Sequence, residues 1–104
     1  MPELRCEAVR WVNDEPFPGI VEVQFVDAAG HRWSLFDKTP IFTRSAALTP
    51  DSFYPVQVTV ACIILDGAMR PAGDELVAVS LAPDGVTTPD GRDTFTVSRG
   101  QLIL

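Results

Sequence analysis

The apolar residues of this chain recur mostly at every second position, the spacing of strands rather than helices. From Ile20 to Asp27 the alternation is cleanest, with Val21, Val23 and Phe25 set against Glu22 and Gln24. The Asp27-Ala28-Ala29-Gly30 turn signal then leads into His31–Asp37, where Trp33 and Leu35 take the same side. Residues 20–37 therefore read as a β-hairpin with a short glycine-containing loop. Ahead of it, Leu4–Val12 is a strand with apolar groups on both faces: Leu4, Cys6, Ala8 and Val12 on one, Val9 and Trp11 on the other. Asn13–Gly19, with Pro16 and Pro18-Gly19, is the intervening turn.

Further along, Tyr54–Leu65 reads as the strongest strand, with Val56, Val58, Val60, Cys62 and Ile64 lining one face. Its other face turns apolar at Ala61, Ile63 and Leu65, as if the strand ran deeper into a core. Asp66-Gly67 has the residues of a hairpin turn, and Pro71–Asp74 is a second breaker. Glu75–Ala82 follows as a strand. Pro83-Asp84-Gly85 and Pro89-Asp90-Gly91 are turns with room for a short strand at Val86–Thr88 between them, and Asp93–Ser98 is the last clear strand. The apolar tail Gly100–Leu104 is expected to pack. Residues 38–53 are irregular, with Ile41-Phe42 as an apolar anchor and Ser45–Leu48 able to form one helical turn.

Six or seven short strands and no amphipathic helix predict one all-β domain spanning residues 1–104, interrupted by the insert at 38–53. A small antiparallel β-barrel fits this length better than a partly open β-sandwich, because a sandwich this small would expose more strand edges. The longest apolar run, Val60–Leu65, falls far short of the roughly 20 residues a membrane helix needs. With no secretion signal at its start, the chain is expected to be cytoplasmic and away from membranes.

Charge narrows the set of partners. The 104 residues carry a formal charge of −6, from 14 acids and 8 bases, and Lys38 is the single lysine. Such a surface opposes phosphate backbones and favours a basic partner. The two Arg-Trp pairs, Arg10-Trp11 and Arg32-Trp33, are the features that would suit an oligonucleotide-binding barrel; the charge argues against it.

Catalytic chemistry finds little support. His31, the one histidine, follows a turn glycine, and Cys6 and Cys62 lie in predicted core strands. A pocket around His31, as an enzyme or small-ligand barrel would need, is the rival expectation. Asp84, Asp90 and Asp93 crowd together, but not with calcium-loop spacing, and turn geometry accounts for the Asp-Gly pairs. No metal or cofactor is implied. The expectation is a non-catalytic interaction protein, an inhibitor- or immunity-type partner of a basic protein or a self-associating one. Its candidate contact residues are Phe17, Phe42, Arg44, Phe53 and Tyr54, rigid aromatics and an arginine in or beside irregular segments.

Overall fold

The computed structural model describes residues 1–43, 48–69 and 75–103. These residues form β1 (Glu3–Asn13), β2 (Ile20–Val26), β3 (Arg32–Lys38), α1 (Thr39–Phe42), β4 (Val56–Ala61), β5 (Ile63–Met69), β6 (Glu75–Ser80), β7 (Thr94–Ser98) and β8 (Leu102–Ile103). Single 3-10 turns at Ala82–Asp84 and Arg99–Gln101 complete the set. Every strand pairing is antiparallel. The all-β expectation is met. Among the described residues the ladders make two sheets, β3-β2-β1-β4 with β8 against β1, and β5-β6-β7; no closed barrel is found.

The centre of the first sheet is β1. It pairs with β4 from Glu3 to Ala8 and with β2 from Glu7 to Asn13. β8 pairs with Glu3 and Leu4, so it occupies the edge of β1 that β2 leaves free. The Gln101 side-chain amide donates to the Val26 carbonyl at 2.6 Å, which ties the turn before β8 to the end of β2.

One extra residue, Val9, sits between the Ala8–Val23 and Arg10–Glu22 pairs. A bulge of this kind shifts the side-chain parity of everything beyond it. Leu4, Cys6 and Ala8 are buried, but beyond the bulge it is Trp11 that packs against the core while Val12 is exposed. The expected places of Trp11 and Val12 are thereby exchanged.

The β2–β3 hairpin matches its sequence pattern. Asp27 accepts hydrogen bonds from the Ala29 and His31 amides, both at 2.9 Å, and Gly30 takes the positive φ of +82° that the turn requires. Val21, Val23, Phe25 and Leu35 are buried. They share one core cluster with Val79, Phe95 and Val97 of the second sheet. Phe25 meets Phe95 edge to face, with ring centroids 4.9 Å apart. The Ala28 amide donates to the Thr96 carbonyl at 3.0 Å, bonding the hairpin to β7.

The segment from Tyr54 to Leu65 departs most from expectation. It is not one strand but β4 and β5, separated at Cys62, whose amide donates to the Pro2 carbonyl at 3.0 Å. β4 pairs in the first sheet and β5 in the second. Val58, Val60 and Cys62 are buried, whereas Ile63, Ile64 and Leu65 are exposed, so the chain leaves the core where its hydropathy suggested entry. Asp66-Gly67 lies within β5, where the ladder carries a register shift, and is not a hairpin turn. The Pro71–Asp74 breaker lies outside the described residues.

Val86–Thr88 is not a strand, although Val86 and Thr88 are buried. The helical turn in the insert is α1, which starts at Thr39 with Pro40 in its first turn, a position that needs no amide hydrogen. Of the Ser45–Leu48 turn, residues 45–47 lie outside the described residues and Leu48 is buried. Among the described residues no helix is long and apolar enough to cross a membrane.

Candidate interaction surface

Ladder register gathers three loops at one end of the first sheet. Asn13, Ile20 and Lys38 are successive ladder partners, so the β1–β2 loop and the β3–α1 junction meet there. The Thr39 amide donates to the Gly19 carbonyl at 3.2 Å across this junction. β4 enters from the same end, with Val56 opposite Ala8.

Two of the five candidate contact residues stand fully in solvent at this end. Phe17, between Pro16 and Pro18, is 89% exposed, and Phe53, just ahead of β4, is 97% exposed. Exposed acids flank both: Asp14 and Glu15 precede Phe17, and Asp51 precedes Phe53. Tyr54 is half-buried, packs against the core and donates its hydroxyl to the Thr49 carbonyl at 2.8 Å. Burial pushes its phenol pKa up. Phe42 is only 1% exposed, which corrects its reading as a contact residue. It is the anchor of α1, because the single turn after β3 points it inward. Arg44 lies outside the described residues.

A surface groove of about 720 Å³ runs over β4. Pro40, Ile41 and Phe42 of α1 form one wall, and Gln57, Thr59 and Ala61 of β4 line it. Its charged lining residues are Glu3, Arg5 and Asp84, two acids against one base, and Ile103 of β8 closes the far side. Neither His31 nor a cysteine lines it.

His31 is exposed, and its ring lies tilted against that of Trp33, with centroids 4.1 Å apart. The Arg92 guanidinium lies 4.5 Å from the same indole, whose N–H donates to Asp27 at 2.8 Å. Burial works to raise the Asp27 pKa, but the Trp33 indole and the His31 and Ala29 amides together hold it below the usual carboxylate range. These contacts consolidate the hairpin turn. Cys6 and Cys62 are buried free thiols. Burial, helped by Cys62, pushes Cys6 up to about 12, and burial with the Glu3 charge raises Cys62. Neither forms the thiolate a nucleophile needs near neutral pH. Among the described residues no group of three or more His, Cys, Asp or Glu is placed to hold a metal.

The outer face of β1, β2 and β3 carries a polar network centred on Glu22. It accepts hydrogen bonds from Arg10 at 2.5 Å, Ser34 at 2.9 Å and Gln24 at 3.1 Å. Burial opposes ionisation of Glu22, but these donors win and lower its pKa. A lowered folded-state pKa contributes stability above the unfolded value of about 4.3, lost as pH falls through the folded pKa. Glu22→Gln is therefore expected to cost about 1–2 kcal/mol at neutral pH and to flatten the acid limb of stability below about pH 4. Urea unfolding across pH 2–7, a range set by carboxylate titration, checks both; an unchanged acid slope would remove the network from this role.

No protein-family model, no curated protein and no solved structure matches this chain.

Proposed function

We propose that this is a non-catalytic interaction protein that binds a basic protein partner, in the manner of an inhibitor or immunity protein, through the loop end carrying Phe17 and Phe53. The observation that carries the reading is the near-complete exposure of these two phenylalanines among acids at one end of a sheet. Leaving large apolar rings in water is unfavourable, and rigid aromatics are enriched where interfaces form. The charge of −6 draws a basic partner, and the groove over β4 offers a second contact area.

Protein is favoured over nucleic acid by the surroundings of the two tryptophans. Each indole N–H donates to a carboxylate, Trp11 to Asp14 and Trp33 to Asp27, which sets a negative charge at the edge of each ring, and a face of Trp33 is already covered by Arg92. The rival reading, a small-ligand site around His31, has less support, since His31 is exposed and does not line the groove over β4. Free Cys6 and Cys62 fit a reducing, cytoplasmic setting. Of the small barrel and the partly open β-sandwich, the sandwich has the support, since two separate antiparallel sheets share one core.

Affinity capture from the native host at low salt tests the reading. The wild-type protein is expected to retain a basic protein, release it as salt rises, and lose it on double substitution Phe17→Ser and Phe53→Ser. Thermal melting of the double variant should match wild type, since neither ring is buried. A partner that is acidic, or that both forms retain equally, overturns the reading.

A further inference from the structure

Sheet edges invite other strands, and natural proteins usually charge, cover or twist them. The outer strand β3 carries Arg32, Asp37 and Lys38. β4 has α1 and the Ala82–Asp84 turn alongside. β7 already has the Thr96 carbonyl bonded to Ala28. β5 differs. Among the described residues its only strand partner is β6, and its first three residues, Ile63, Ile64 and Leu65, are 47%, 39% and 54% exposed. The charge pattern singles out the same place. Ser52–Leu65 is the longest stretch of the chain without a charged residue.

We infer that β5 pairs antiparallel with β5 of a second copy of this chain, forming a two-fold dimer with Ile64 on the axis. A second copy is favoured by charge. Two chains of −6 repel, so self-contact belongs where charge is absent, and Ile63–Leu65 is an exposed apolar strand segment that meets this condition. Antiparallel edge pairing is also self-complementary, since one edge supplies both donors and acceptors to its own copy. Register follows from the residues. Centred on Ile64, the ladder sets Ile63 opposite Leu65 of the second copy and Ile64 opposite itself, matching apolar with apolar. Centred on Asp66, it would oppose two aspartates, which is unfavourable. The dimer contact does not rest on the proposed partner site, since β4 leads from the Phe53 loop away to β5.

Two measurements test this on the full chain. In sedimentation equilibrium from micromolar to millimolar concentration, wild type is expected to reach twice its 11.3 kDa mass, and Ile64→Lys to remain at the monomer mass. Val26→Lys, at another exposed apolar position, should dimerise as wild type does. Separately, Ile64→Cys should oxidise to a covalent dimer. Directly opposed residues in an antiparallel ladder have Cα atoms about 4.5–5.5 Å apart, within disulfide range. Val26→Cys should not. The cross-link decides the matter even if Ile64→Lys fails to fold. A wild-type monomer at millimolar concentration, a dimer indifferent to Ile64→Lys, or equal cross-linking of both cysteine variants overturns the proposal.

Discussion

Phe42→Ala is expected to remove about 3–5 kcal/mol of folding free energy, through the lost transfer of the ring and the cavity left behind. The residue is 1% exposed and is the largest fully buried side chain described. It is held by a single helical turn, closed by the Thr43 amide donating to Thr39 at 3.1 Å, so little regular structure can collapse to fill the space. A domain of this size has only about 5–15 kcal/mol in total. The variant should therefore be substantially unfolded at moderate urea concentrations where wild type is folded. Phe17→Ala and Phe53→Ala, on exposed rings, should stay within about 0.5 kcal/mol of wild type. Urea denaturation of the three proteins separates a phenylalanine that holds the fold from two that are free to meet a partner; equal loss in all three would refute the assignment.

Gly19→Ala should be nearly as damaging, by about 2–4 kcal/mol, for two reasons that act together. The backbone there has φ of +129°, which side chains rarely adopt. A methyl group at this position would also overlap Cζ2 and Cη2 of the Trp11 ring. Trp11 has little freedom to retreat, since it packs against the core and its N–H is bonded to Asp14 at 2.9 Å. A red shift of tryptophan emission should accompany the loss as the ring is displaced. Gly30→Ala provides the comparison. Its φ is also positive, but no atom lies within 4 Å of the added methyl, so only about 1 kcal/mol is expected. Thermal melts that rank the two variants the other way would show that the Trp11 contact does not matter.

The parts legible in the sequence are those where one local pattern decides the outcome. β2 alternates through Val21–Phe25 and β3 through Arg32–Leu35, and the Asp27–Gly30 turn chemistry sets their register, so Val21, Val23, Phe25, Trp33 and Leu35 fall where the pattern puts them. Parity failed in β1, because a bulge is a property of two strands. Val9 and Val12 are tolerable on either face, and nothing in their identity says that Val9 has no partner. Hydropathy failed at Ile63–Leu65 for a related reason: an apolar run reports preference for burial, and only the placement of β5 beyond the core shows that the preference is unmet. In the candidate site, proline-flanked Phe17 and loop residue Phe53 were readable as exposed. Phe42 was not, since a four-residue turn has no period from which to infer its inward face. The groove was invisible because it is assembled from positions between Glu3 and Ile103.

That same span has a bearing on how the molecule is made. Leu4 and Leu102 are ladder neighbours, so β1 must wait for a strand that lies far along the chain. Contacts this far apart in the chain are slow to form, because a long loop must close before any bond rewards it. Until then, part of one side of β1 has no strand beside it. Chaperones acting during synthesis would find their opportunity on that open side, and the first sheet is completed only once β8 is available to it.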